Sequence, residues 1–461
     1  MSRNAAQKLI TTIDLQLYDL NNKLSLLEYA QDRGDDVAKE ITGLKQEMND
    51  LLKNERLTNA IECWTRNNAK SENPLLGRKA YLLARKRRFS EVEHNSQLLK
   101  AGQEVREKIT GLQNDYSQIF SELYSPQRAK RQCAQTKMSR LGTELEPVCR
   151  RWSQLANEIA CKHGYDSYVD ACLTSEDLTL HQLTDLFKNW KQERSHQFQA
   201  SIASLQGTED LLYLFSTHKA RMDEIFNIRN VDDVFSELLF KLGLSLDELP
   251  IFIERADIGF PGACYRIEPG TDIRIIVNSQ LSGFSSYFYL LHEFGHGMYY
   301  YFCPKGSELL VDDQIVRETF ADMWTLFLRD KQFLQKIIGV SDKDIATMSM
   351  AMSNYFTLRL YLFMRDAMFT VRVLSEPTTP FAELWRMVND EWLGIDDDSG
   401  AFDLYDFLHP LALKNYVFAQ VLSEKAMQLK GDCLVSPQMV TRFQEYCRQG
   451  NAVEWKTKLK V

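Results

Sequence analysis

No stretch of 18 consecutive apolar residues occurs in the 461 positions, so no membrane-spanning helix is predicted. No Cys-x-x-Cys pair occurs either. The nine cysteines are odd in number and irregular in spacing, which argues against a disulfide framework and fits a reducing compartment. An excess of positive charge is lacking too: the net charge is −8, which speaks against nucleic acid as the main partner. The basic runs Arg85-Lys86-Arg87-Arg88 and Arg128 to Arg131 read as solvated helix faces. There is no Gly-x-Ser-x-Gly nucleophile elbow, no phosphate-binding loop and no internal repeat. The acidic stretch Gly394 to Gly400 lacks the ligand spacing of an EF-hand and reads as a solvated turn. Residues Met1 to Lys8 hold no apolar signal core, so a cytoplasmic protein is the default expectation, with export by a non-classical route left open.

What remains is an ordinary globular composition, 44% apolar and 26% charged, long enough for one or two lobes around a large core. Leu9, Ile13, Leu17, Leu20, Leu24 and Leu27, then Ile41, Leu44, Met48 and Leu51, recur at helical spacing on either side of Arg33-Gly34-Asp35-Asp36. They predict an antiparallel helical hairpin. Helices are expected again over 75–125. Glu144-Leu145-Glu146-Pro147 is read as the opening of another that ends near Gly164. Only 250–280 reads as strand. The chain is therefore expected to be mainly α, with a helical N-terminal lobe over 1–175, a catalytic lobe over 176–461 and one small sheet.

The chemistry concentrates at His292-Glu293-Phe294-Gly295-His296. Positions i and i+4 share a helix face, so both imidazoles reach one metal ion, and Glu293 stands beside the ion's open position. The flanking residues Tyr287 to Leu291 and Met298 to Phe302 are apolar or aromatic. Two histidines and a glutamate in such a helix are costly to bury without a partner, and zinc (Zn2+) supplies one. Catalytic zinc takes three protein ligands. Glu318, 22 residues beyond His296, is the candidate third. Asp322 follows it at i+4 on the same predicted helix and is expected to accept the second ring N–H of a ligand histidine. The chemistry these residues predict is attack by zinc-activated water, with Glu293 as general base.

Upstream, Ala263 to Ile267 and Ile273 to Asn278 flank the turn residues Pro269-Gly270-Thr271-Asp272 and predict a hairpin next to the metal-binding helix. An edge strand there offers main-chain hydrogen bonds to an extended peptide. The segments Gly262-Ala263-Cys264-Tyr265, Ile273 to Asn278 and Leu290 to Gly297 together resemble the oligoendopeptidase F and thimet oligopeptidase family of zinc metallopeptidases. The resemblance covers about residues 255–330, with a weaker echo at Phe407-Leu408-His409 and Tyr416-Val417-Phe418. It implies two helical lobes around a deep substrate channel that admits short peptides. It also implies a substrate-site role for His409 and Tyr416, which would donate to the tetrahedral oxyanion.

The expected activity is that of a zinc-dependent oligopeptidase cutting internal bonds of short peptides. Two alternatives stand beside it. A carboxypeptidase or dipeptidase on the same site needs a group that captures a terminal carboxylate, for which Lys414, Arg359 or Arg365 would serve. A helical interaction protein with a degenerate metal site is the third reading.

Overall fold

The computed structural model describes residues 1–66, 73–311, 313–397, 399–404, 407, 411–428 and 434–459. Among them the chain is mainly α, with one three-stranded sheet. It gathers into two compact units, each assembled from separated segments. The first comprises Met1–Arg87, Asp223–Ala346 and Phe418–Val461; the second comprises Arg88–Met222 and Thr347–Val417. None of the described helices is long and apolar enough to cross a membrane.

In the first unit the predicted hairpin is present as helices Arg3–Asp32 and Ala38–Lys53. Their apolar stripes, together with those of Glu55–Arg66 and the helix beginning at Pro74, close a core of Ile10, Ile13, Leu17, Leu57, Trp64 and Leu83. Leu309 joins this core from much later in the chain. The sheet consists of β1 (Ile251–Ala256), β2 (Gly262–Glu268) and β3 (Asp272–Asn278), in the order β1-β3-β2. β2 and β3 form the expected antiparallel hairpin, and β1 pairs with β3 in parallel. β2 is therefore an edge strand. Ile273, Ile275 and Val277 alternate with Arg274 along β3, and both isoleucines and the valine are buried.

The second unit is helical. Its longest described helix, Arg128–Lys162, continues through Pro147. The helix start expected at Glu144 is absent, because the structure there continues a helix begun 16 residues earlier. An interior proline costs about 3 kcal/mol. Burial of Leu145, Val148, Cys149, Trp152 and Ala156 on the stripe that spans the proline offsets it.

Candidate active site

Everything at the centre of this site belongs to the first unit. The helix Gly283–Phe302, here the His helix, is buried on nearly every face, as its all-apolar flanks require. Its N-terminus is capped from a distance: Asp223 Oδ1 accepts from Phe284 N at 2.8 Å. The helix Gln314–Thr325, the Glu helix, starts at Asp313, whose Oδ1 accepts from Val316 N at 3.1 Å.

Two glycines bring these elements close. A Cβ on Gly295 would lie 2.7 Å from Ala321 Cα in the Glu helix, and one on Gly297 would lie 3.2 Å from Ile275 Cδ1 in β3. The His helix is thus held tightly between the Glu helix and the sheet at the level of the two histidines. Gly295 is small because the Ala321 backbone passes there, and Gly297 because the Ile275 and Ile251 side chains do.

His292, Glu293, His296, Glu318 and Asp322 are all buried. The ligand atoms of His292, His296 and Glu318 lie within 4.8 Å of one another. Glu318 Oε2 is 3.5 Å from His292 Nε2 and 3.4 Å from His296 Nε2. That oxygen is buried and has no hydrogen-bond donor among the described residues. A tetrahedral ion with ligand bonds of about 2.0–2.2 Å separates its donor atoms by about 3.3–3.6 Å. The donor chemistry and the oxygen-to-nitrogen spacings therefore fit a divalent metal.

His292 Nδ1 lies 3.0 Å from Asp322 Oδ1. The two imidazole rings stand 4.8 Å apart and nearly perpendicular, at 88°. His296 Nδ1 is buried with no hydrogen-bond partner among the described residues, so the two histidines are held unequally.

The charges are strongly perturbed. Burial disfavours charge on His292, but the hydrogen bonds to Asp322 and Glu318 outweigh it and push the ring up to about 10. Burial also works against the Glu318 carboxylate, yet His296 and His292 hold it well below its usual range. Burial raises Glu293, with the imidazoles opposing. A carboxyl raised in this way is a stronger base than a solvated one. Gly262 of the edge strand β2 lies against this group: a Cβ there would be 3.0 Å from Glu293 Cγ.

The structure thus brings together His292, Glu293, His296, Glu318 and Asp322. Tyr416 belongs to the second unit, where its ring stands 6.1 Å from that of Phe363. His409 lies outside the described residues. Of the carboxylate-capturing candidates, Lys414 is buried with its Nζ 2.6 Å from Glu176 Oε2. Arg365 pairs with Asp366 at 2.8 Å and covers the Trp385 ring at 4.4 Å. Arg359 lies over Phe363 at 4.9 Å.

Sequence reasoning missed Arg317, Tyr300 and Asp223. Arg317 donates through Nη1 to Tyr300 Oη at 3.1 Å. A cation immediately before a candidate ligand, in a helix with no other basic residue, was the available signal.

A comparison with protein-family models finds no match, and a comparison with curated proteins finds none either. Solved structures do match. A carboxypeptidase of Pyrococcus furiosus is 14% identical, with a TM-score of 0.67 over 99% of this chain and 95% of that one. Metallocarboxypeptidase 1 of Trypanosoma cruzi is 15% identical, with a TM-score of 0.63 over 100% and 96%. A putative oligoendopeptidase F from Bacillus anthracis is 13% identical, with a TM-score of 0.51 over 95% and 90%. At such identities the likeness is one of fold, and the fold is shared from end to end with helical metallopeptidases.

Proposed function

We propose that this chain is a zinc-dependent peptidase acting on short peptides. The observation that carries the reading is the buried triangle of His292 Nε2, His296 Nε2 and Glu318 Oε2, with Glu293 beside it. His292, His296 and Glu318 would hold the ion. When bound, zinc supplies Lewis acidity, lowering the pKa of water and polarising a carbonyl.

The remaining work falls to the protein. Glu293 takes the proton of the attacking water and returns it to the leaving amine; its burial raises its basicity for that task. Asp322 holds His292 so that Nε2 faces the ion. The edge strand β2 runs past Glu293 and offers main-chain groups to an extended substrate. His409 and Tyr416 enter the proposal from the family resemblance alone, as donors to the oxyanion.

The first reading is cleavage of internal bonds, as the resemblance implies. The second is removal of the C-terminal residue. It is favoured by the end-to-end likeness in fold to the carboxypeptidases, at TM-scores of 0.67 and 0.63. For it, the sequence offers Lys414, Arg359 and Arg365 as candidate receptors of a terminal carboxylate.

A quenched-fluorescent peptide library, assayed with and without chelator, tests the activity. Glu293→Gln is expected to keep the metal and lose turnover; full activity in that variant would refute the assignment. Mass spectrometry of products from a peptide blocked at its C-terminus separates the two readings, because only an endopeptidase cuts it.

A further inference from the structure

Arg317 precedes the candidate ligand Glu318, and its two terminal nitrogens point to different groups. Nη1 donates to Tyr300 Oη at 3.1 Å. Nη2 lies 3.9 Å from Glu318 Oε1, the carboxylate oxygen that is not the one nearest the imidazoles. Oε2 faces His292 Nε2 and His296 Nε2 at 3.5 and 3.4 Å. The two oxygens of one carboxylate are therefore divided between a cation on one side and the two rings on the other.

Tyr300 is itself fixed. It lies one turn beyond His296 on the His helix and is buried. The Arg266 guanidinium from β2 lies 5.9 Å from the centre of its ring. Arg266 in turn pairs with buried Glu308 at 2.5 Å. A line of polar contacts therefore runs from the sheet through Tyr300 and Arg317 to the outer oxygen of Glu318. Charge balance points the same way. Glu293, Glu318 and Asp322 place three carboxylates in one buried cluster. A divalent ion offsets two of those charges, and Arg317 brings the third positive charge.

We infer that Arg317 is a positioning residue, held by Tyr300, that keeps Glu318 bound to the metal through Oε2 alone. This rests on the metallopeptidase reading above. A carboxylate free to turn would chelate the ion with both oxygens and occupy the coordination position needed for water. The planar fork of arginine suits the task because it serves Tyr300 and Glu318 at once, whereas lysine offers a single point charge.

The test uses the full-length protein loaded with cobalt(II), whose visible ligand-field bands report coordination number, alongside zinc stoichiometry, kcat and KM. Arg317→Met is expected to bind one ion per chain, to lose ligand-field intensity as Glu318 chelates, and to lose about 10-fold or more in kcat at unchanged KM. Arg317→Lys should recover part of both signals, and Tyr300→Phe should move them in the same direction as Arg317→Met but less far. If Arg317→Met does not fold, as judged by circular dichroism, the Lys and Phe variants carry the same readouts. Unchanged spectra and kcat in the folded variants would overturn the inference. So would a rise in KM alone with the wild-type spectrum, which would mean that the guanidinium touches substrate. Failure of the wild-type protein to bind metal stoichiometrically would instead sink the peptidase reading itself.

Discussion

His292 and Asp322 are joined through Nδ1 and Oδ1 at 3.0 Å, from neighbouring helices, with both side chains buried. An ionised carboxylate only accepts, so the imidazole must carry its proton on Nδ1. In the neutral ring that a metal requires, Nε2, which faces Glu318 Oε2, is then the nitrogen left with a lone pair for the ion. Asp322→Ala should lower zinc affinity by about 10–100-fold, read by competition with a chromophoric chelator, while far-ultraviolet circular dichroism stays unchanged. Equal affinity in variant and wild type would show that His292 needs no such support.

The same pair makes the metal-free protein sensitive to pH. Against the effect of burial, Asp322 and Glu318 raise His292 to about 10, above the value near 6.5 that it has when unfolded. A group raised on folding contributes stability that is complete below its unfolded pKa and is lost as pH climbs through the folded one. Chelator-treated protein should therefore lose thermal stability between about pH 6.5 and about pH 10. Glu318 is held low, so its contribution disappears as pH falls below the usual carboxylate range. Zinc requires a neutral ring, so its uptake should release a proton and its affinity should rise with pH over the first interval. A melting temperature of the metal-free protein that stays flat from pH 6.5 to 10 would mean that His292 is not held charged.

The candidate metal-binding set is legible in the sequence because it depends on short spacings. His292 with His296, and Glu318 with Asp322, are each four apart, and helix geometry alone puts each pair on one face. The β2–β3 hairpin is legible for a similar reason, since turn residues separate two branched runs. Relationships across long sequence separations are not. The parallel pairing of β1 with β3, which leaves β2 as the edge next to Glu293, has no local signature. Neither has the role of Arg317, which depends on where the Tyr300 hydroxyl ends up. Pro147 misled because it normally marks a helix start, yet packing of the surrounding stripe carries a helix through it.

Gly295 offers a prediction whose sign is set by its neighbours. In an open helix, Gly→Ala is stabilising by about 1 kcal/mol. Here the new Cβ would meet Ala321 Cα at 2.7 Å and its carbonyl oxygen at 3.0 Å, backbone atoms that cannot step aside without moving the Glu helix. Gly295→Ala is expected to destabilise by about 1–3 kcal/mol and to weaken zinc binding, because Glu318 moves with its helix. Gly43, in the helix Ala38–Lys53, has nothing within 4 Å of an added Cβ and is the control: Gly43→Ala should stabilise. Denaturant unfolding of the two variants decides, and the same sign of effect at both positions would contradict the close packing.

Asp14 ties the start of the chain to the segment between the His helix and the Glu helix. It is buried, and it accepts from Ser307 Oγ at 2.6 Å and from Leu309 N at 3.0 Å, with Lys79 Nζ at 2.7 Å. Those contacts fix the short helix Glu308–Val311, from which the chain proceeds to Asp313 and the Glu helix. Removing one partner of a buried pair leaves the other charge without compensation, so Asp14→Ala should cost about 3–5 kcal/mol, read by urea unfolding of the metal-free protein. Replacing Lys79 as well removes the orphaned ammonium. The double variant Asp14→Ala with Lys79→Met is therefore expected to regain part of that loss, although the contacts to Ser307 and Leu309 stay broken. Its zinc affinity should remain below wild type, because Glu318 still hangs from an unanchored connection. A double variant no more stable than the single would mean that Lys79 reaches water without Asp14, and that the hydrogen bonds to Ser307 and Leu309 account for the whole effect.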